Sequence, residues 1–150
     1  MGWRLRGGRE DRLKHLGSIS GLVGKGPSNK VLRMALDGSL KIVMSRQIFA
    51  EYVRAVHYPK LGISLLYAYA VLNGLYRLAE KVSPKRRFSI CRDPEDDKFI
   101  EAAYEGRASY ILTLDRDILD LRNDSKNLKV DDVKLRILTP TEFLEEQQSS

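Results

Sequence analysis

Hydrophobic and polar residues follow one another in blocks that fit short buried strands and amphipathic helices. Several apolar runs of four to six residues are bounded by turn-forming or charged residues, which is typical of buried strands. The predicted strands are Leu40–Met44, Phe88–Cys91, Ser109–Leu114 and Val133–Leu138. Residues 122–132 are polar and are predicted to form a loop.

Helices are predicted between these strands, where apolar residues recur three and four positions apart. Ser45 is expected to cap a helix with one apolar stripe that runs from Ile48 to Val56. Ile63–Val82 is predicted to be a long helix that is apolar on more than one side and ends before Pro84. The other predicted helices are Asn29–Leu36, Pro94–Glu105, Arg116–Leu121 and Thr141–Glu146.

Strands that alternate with helices predict an α/β fold with a central, mainly parallel sheet covered on both faces. In such sheets ligands bind beyond the carboxyl ends of the strands. The chain of 150 residues is of the size expected for one domain. We expect a basic and flexible arm at residues 1–19, a folded domain at 20–147 and a short tail at 148–150.

The composition narrows the chemistry that the protein can perform. The net charge of +6 favours anionic partners, nucleic acid first. The single Cys91 excludes an internal disulfide and a zinc site made of several thiolates, and His15 and His57 are the only histidines. A metal site would therefore use carboxylates and a hard cation. Neither a secretion signal nor a membrane-spanning segment is expected, which indicates a cytoplasmic protein.

Acidic residues are concentrated between residues 91 and 105. They are Asp93, Glu95, Asp96, Asp97, Glu101 and Glu105. Asp93 before Pro94 and Asp96 three residues on form an ordinary helix start, so capping explains most of the acids at 93–96. Asp97 is the one that capping explains least, because it lies a turn into the helix and beside its apolar face.

A second set of acids follows a predicted strand. Asp115 comes directly after Ser109–Leu114, and Asp117 lies two residues further on. Two carboxylates from separate strand–helix junctions could share one Mg²⁺ or Mn²⁺, whereas capping of the next helix is an equally good explanation for either residue alone. Glu51 lies away from the centre of its helix's apolar stripe, and a solvated glutamate is the simpler interpretation.

The segments around these acids resemble the PIN-domain family, in particular its prokaryotic branch of toxins from toxin–antitoxin pairs. The resemblance covers roughly residues 20–147. The matching segments are SGLVGKGPSNKVLRMALDG at 20–38, SRQIFAEYVRAVHYPKLG at 45–62, CRDPEDDKFIEAA at 91–103, YILTLDRDIL at 110–119 and ILTPTEFL at 137–144. Each segment is a loose pattern, and their order and spacing make the resemblance specific.

The resemblance implies a three-layer α/β/α fold and a Mg²⁺- or Mn²⁺-dependent endoribonuclease. It implies that Glu51, Asp97 and Asp115 are catalytic and that Asp117 is a further metal ligand. Thr113 and Ser45 match polar positions near the family's site. We expect RNA to bind exposed basic residues, namely Lys85, Arg86, Arg87 and Arg116. An antitoxin protein and a homodimer formed through Ile63–Val82 are the partners that it implies.

The start of the chain departs from the family. The family's first strand ends in an aspartate, and counting back from Ser20 places Lys14 at that position. The resemblance therefore implies a metal site that lacks one carboxylate and is impaired. The alternative is a catalytically inactive, PIN-like module that binds RNA or a protein. A nucleotide-binding domain is disfavoured, because no glycine-rich phosphate loop follows a predicted strand.

Overall fold

The computed structural model describes residues 2–4, 14–16, 26–57 and 64–149, the first two ranges by their backbone alone. The strands are β1 Gly2–Arg4, β2 Lys14–Leu16, β3 Val43–Ser45, β4 Glu80–Val82, β5 Tyr110–Leu112, β6 Asn127–Val130 and β7 Val133–Leu138. The helices are α1 Pro27–Leu36, α2 Arg46–Val56, α3 Leu65–Leu78, α4 Asp97–Glu105, α5 Arg116–Leu119 and α6 Pro140–Ser149. A 3₁₀ turn, Pro94–Asp96, leads into α4.

The strands form two hydrogen-bonded sheets. One has the order β2-β1-β3-β4, and the other has the order β5-β7-β6. The pairs β3–β4 and β5–β7 are parallel, whereas β1 pairs antiparallel with both β2 and β3, and β6 pairs antiparallel with β7. Strand β2 also lies beside β5, so the two sheets are neighbours. The predicted α/β class is therefore confirmed.

The hydrophobic core lies between the sheets and the helices. Its fully buried large side chains come from strands and helices alike: Ile42, Met44, Ile48, Leu72, Leu75, Ile100, Ile111, Leu112 and Phe143. Gly106, just after α4, packs so closely on β3 that a Cβ there would lie 2.5 Å from Cγ1 of Val43. This contact requires glycine, and it holds the end of α4 against the sheet.

The predicted long helix Ile63–Val82 is wrong at its C-terminal end. Helix α3 ends at Leu78, and Glu80–Val82 is strand β4. The amide of Glu80 donates to the carbonyl of Ile42 over 2.7 Å, and β4 then pairs with β3. This strand exists because of a partner almost 40 residues away, which an apolar period within the segment does not reveal.

Two further predicted elements differ from the structure. Phe88–Cys91 was expected to be a strand and is instead part of an extended segment, residues 83–91, that belongs to no sheet. The predicted loop 122–132 contains strand β6, which turns into β7 at Asp131, a residue with a φ of 52°. Strand β7 has the predicted bounds Val133–Leu138. The other predicted elements are present, most of them with shifted ends, and the predicted strands Leu40–Met44 and Ser109–Leu114 are the shorter β3 and β5.

Two three-residue parts of the predicted arm, β1 and β2, are strands. The other residues of that arm lie outside the described ranges, and its flexibility stays a prediction. Within the described residues, no helix is long and apolar enough to cross a membrane.

Candidate metal centre

Three carboxylates meet at the carboxyl end of β5. Asp96, Asp115 and Asp117 each offer an oxygen, and these three oxygens lie within 4.8 Å of one another. We call these three residues the acidic group. Asp96 ends the 3₁₀ turn before α4, Asp115 caps α5, and Asp117 lies in the first turn of α5. Two strand–helix connections thus bring the carboxylates together.

Local hydrogen bonds fix the turn that carries two of the three carboxylates. The amide of Asp115 donates to Oγ1 of the buried Thr113 over 2.9 Å. Oδ1 of Asp115 in turn accepts from the amide of Asp117 over 2.9 Å, so the predicted cap is present. The other carboxylate oxygen of Asp115 takes no part in this cap. Capping and metal binding are therefore compatible in the same side chain.

The electrostatics of the acidic group are those of a site with excess negative charge. The pKa of Asp96 is raised from 3.8 to about 6, first by burial and then by the charges of the neighbouring carboxylates Asp115, Asp93, Asp117 and Glu51. A cation between the carboxylates would reverse these effects, because it favours the ionised form. Mg²⁺ and Mn²⁺ prefer carboxylate oxygens supplemented by water, and the acidic group offers such a donor set.

Asp97 lies next to the acidic group in sequence but has a different contact set. Its side chain is buried, and its Oδ1 accepts from the amides of Ile90 over 3.0 Å and Cys91 over 2.9 Å. Burial and, after it, a hydrogen bond with Asp97 are the main causes that raise the pKa of the Cys91 thiol to about 12. Asp97 therefore binds the backbone of the extended segment 83–91.

Two more acids on α4, one turn and two turns after Asp97, also accept hydrogen bonds from backbone amides of this segment. Glu101 is buried and accepts from the amide of Phe88 over 3.0 Å, and Glu105 accepts from the amide of Lys85 over 3.1 Å. Because residues four apart share one face of a helix, Asp97, Glu101 and Glu105 form a row along the segment. Half of the acidic residues at 91–105 thus hold backbone amides of the segment 83–91.

Glu51, on α2, is paired with a buried lysine of α4. Nζ of Lys98 lies 2.8 Å from Oε1 of Glu51 and 3.4 Å from Oε2 of Glu95. Burial lowers the pKa of Lys98, but its hydrogen bonds and charge pairing with Glu51 and Glu95 outweigh this and raise it overall. Lys98 therefore stays protonated, and Glu51 already has a cation beside it.

The predicted RNA-binding residues are all exposed. Arg86 pairs with Asp131, and Nη1 of Arg87 lies 3.4 Å from Oε1 of Glu101. The backbone of Lys85 is fixed by Glu105, as described above. Arg116 begins α5, between two members of the acidic group in sequence.

A family model described as PIN domain matches residues 18–117, which is 100 of the 150 residues. The chain belongs to the PIN domain family. All three members of the acidic group lie inside the match, near its end. PIN domains have a three-layer α/β/α fold, as the sequence predicted, and membership places the chain among nuclease-type proteins.

One curated relative is an uncharacterized protein of Methanocaldococcus jannaschii. It is 40% identical to this PIN domain over 76 residues, which cover 51% of this chain and 48% of the relative. The chain thus spans about half the length of the curated relative that it matches. No solved structure matches the chain.

In this PIN domain the structure brings together Asp115 and Asp117 of the predicted site residues, and adds Asp96. Glu51 and Asp97 lie close by but are engaged with Lys98 and with backbone amides. Sequence reasoning assigned Asp96 to helix capping alone, yet its side chain makes no capping hydrogen bond to α4. The signal that was available is its place among four acids near one helix start, Asp93, Glu95, Asp96 and Asp97.

Proposed function

We propose that this PIN domain is a Mg²⁺- or Mn²⁺-dependent endoribonuclease and that the acidic group holds the ion. The observation that carries the proposal is the meeting of Asp96, Asp115 and Asp117 at the end of β5, inside the matched region. The raised pKa of Asp96 supports it, because three carboxylates this close favour either a shared proton or a cation.

Hydrolysis of a phosphodiester joins a water oxygen to phosphorus and breaks the bond to the leaving sugar oxygen, which takes a proton. A divalent ion, when bound, lowers the pKa of water and stabilises charge on the phosphate. The chain's own residues fix the geometry of this site. Thr113 and the Asp115 cap hold the turn, and the row on α4 holds the segment that leads to Asp93. Asp96 and Asp117 then meet Asp115 without rearrangement of the backbone, which is the preorganisation that catalysis needs.

The exposed basic residues are the proposed contacts of the RNA backbone. Lys85, Arg86 and Arg87 lie on the extended segment 83–91, whose backbone α4 holds in place, and Arg116 adjoins Asp115. The overall charge of +6 supports an anionic substrate. Each such contact is expected to contribute to a salt-dependent affinity.

We also propose the partners and the location of the protein. The toxin role, an antitoxin partner and a cytoplasmic location follow the resemblance. A homodimer is supported by large apolar side chains that α3 exposes, among them Leu66, which is 82% exposed, and Tyr67, which is 47% exposed. Light scattering of the wild type and of Leu66→Glu tests this: a monomer in both would contradict the dimer.

The second candidate is a PIN-like module that binds RNA or protein without cleaving it. The observation in its favour is Lys14 in place of the family's first aspartate, on a strand that lies beside β5. A lysine that reached the acidic group would neutralise it and compete with the ion.

The deciding experiment is an RNA cleavage assay. Purified protein is incubated with a mixed RNA substrate, with Mn²⁺ and with EDTA. We expect cleavage only with Mn²⁺, and a loss of at least about a hundredfold in Asp115→Asn. Asp124→Asn changes an exposed aspartate in the turn before β6, outside the acidic group, and is the matched control for charge and for contaminating nuclease. Equal cleavage by Asp115→Asn and the control would reject the site, and RNA binding without any cleavage would favour the second candidate.

A further inference from the structure

Arg92 lies at the rim of the acidic group. Its Nη1 is 3.5 Å from Oδ1 of Asp117, and its Nη2 is 3.9 Å from Oδ2 of Asp120. We propose that Arg92 binds the phosphate of the RNA bond that is cleaved, an inference that rests on the proposed function and adds a substrate contact to it. Sequence reasoning did not assign this residue a role.

Hydrogen bonds hold the backbone on both sides of Arg92, whereas its side chain is largely exposed. The amide of Cys91 donates to Asp97, and the carbonyl of Asp93 accepts from the amide of Asp96 over 2.9 Å. The Arg92 side chain itself is 76% exposed. A fixed Cα with an exposed guanidinium suits a residue that reaches for a ligand, because only the side chain has to be ordered on binding.

The distances to Asp117 and Asp120 are those of charge pairing and exceed a hydrogen bond of about 2.7–3.2 Å. Arg107, also exposed, differs from Arg92: its Nη1 makes a hydrogen bond of 2.9 Å to Asp132. The guanidinium of Arg92 is thus attracted to the carboxylates of Asp117 and Asp120. Its N–H groups do not form close hydrogen bonds with them. They remain available for another acceptor.

A phosphate is the acceptor that fits this place. The acidic group alone repels a polyanion, whereas a phosphate could approach if the group held a cation, and Asp117 would be one of the residues that hold it. Asp117 would then attract Arg92 less, and the planar guanidinium could bind two non-bridging phosphate oxygens side by side. An arginine so placed stabilises the negative charge that builds up on phosphorus-bound oxygens during attack.

The other role open to Arg92 is to neutralise Asp117 in the free protein. The two roles predict different Mn²⁺ affinities for a variant that lacks Arg92. A neutraliser competes with the ion, so its removal tightens Mn²⁺ binding and leaves RNA binding alone. A phosphate contact leaves Mn²⁺ binding within about twofold and weakens the interaction with RNA.

The test compares Arg92→Ala and Arg92→Lys with Arg107→Ala as the matched control. Affinity for a fluorescein-labelled, nuclease-resistant 2′-O-methyl phosphorothioate RNA is measured with Mn²⁺ present, and Mn²⁺ affinity is measured from melting temperatures without RNA. We expect Arg92→Ala to lose about tenfold to a hundredfold in RNA affinity and Arg92→Lys to recover part of it, with Mn²⁺ affinity and Arg107→Ala unchanged. Cleavage of ordinary RNA should fall in kcat by at least as much.

Unchanged RNA affinity in Arg92→Ala, or an equal loss in Arg107→Ala, would overturn the inference. Tighter Mn²⁺ binding with unchanged RNA affinity would assign Arg92 to neutralisation instead. If the wild type cleaves nothing while Arg92→Ala still loses RNA affinity, the proposed nuclease function fails and the phosphate contact stands. The binding assay needs no cleavage, so the two failures are separate.

Discussion

Lys98 and Glu51 join α4 to α2 through an ion pair in which Nζ lies 2.8 Å from Oε1. The lysine side chain is only 10% exposed, and that of Glu51 is 34% exposed. The pair sits beside the acidic group, since the charge of Glu51 contributes to the raised pKa of Asp96. A glutamate that the family resemblance assigns to catalysis is thus held by a buried lysine of the same chain.

This pair gives a first prediction. Glu51→Gln should lower the free energy of unfolding by about 2–4 kcal/mol, because it leaves the buried Lys98 with only Glu95 as a charged partner nearby. The double variant Glu51→Gln/Lys98→Met should recover most of the loss. Urea denaturation measures both. The Mn²⁺-induced rise in melting temperature should persist in the double variant; its disappearance would make Glu51 a ligand of the ion.

A second prediction separates two neighbouring aspartates. Asp97→Asn should cost about 1–3 kcal/mol of stability, because a charged acceptor of two amides becomes neutral, but should keep the response to Mn²⁺. Asp96→Asn should cost little or stabilise the protein, because a like charge is removed, and should abolish that response. Melting curves with and without Mn²⁺ give both quantities. The reverse pattern would return the ion to Asp97.

A third prediction concerns pH. The pKa of Asp96 is raised in the folded state, so its protonated form favours folding. That contribution to stability is fully present below pH 3.8, the unfolded value, and is lost as the pH rises through about 6. Asp96→Asn should lack this dependence.

Affinity for the ion should change with pH in the opposite direction to this stability contribution, because the ion requires the ionised carboxylate of Asp96. The rise in melting temperature at a fixed Mn²⁺ concentration should therefore be clearly larger at pH 7 than at pH 5. A response that is the same at both values would mean that Asp96 is not a ligand.

A fourth prediction concerns Lys14. Replacing it by Asp should tighten Mn²⁺ binding and increase Mn²⁺-dependent cleavage by at least about tenfold, because the resemblance puts a carboxylate ligand at this position. A stronger form of the test replaces residues 1–16 with a family-like strand that has Asp at position 14. Lys30→Asp, at an exposed position of α1, has the same change in charge and should have no such effect. If the unaltered chain already cleaves RNA at a rate that neither change affects, another acid serves as the first ligand.

Local chemistry explains what the sequence predicted well. The caps at Ser45, Asp93 and Asp115 are all present, because a cap needs only residues two or three positions away. The strand Glu80–Val82 was missed because its partner β3 is remote, and propensity alone does not separate the end of a long helix from a short strand.

The choice between Asp96 and Asp97 depends on a finer detail. The turn Pro94–Asp96 is a 3₁₀ helix, which has about three residues per turn, and α4 follows with about 3.6. This change of period at the helix start sets which of two adjacent side chains points towards α5 and which towards segment 83–91. A single uninterrupted helix from Pro94 to Glu105, as the sequence predicted, does not contain that information.

The row of carboxylates on α4 also determines how one part of the molecule opens. Residues 83–91 form no strand, and amides in an exposed loop normally exchange their hydrogen with solvent quickly. The amides of Lys85, Phe88, Ile90 and Cys91, however, are bound to side chains on three successive turns of one helix. These amides can exchange only when the segment separates from α4. Residues 83–91 and α4 therefore open as one cooperative unit.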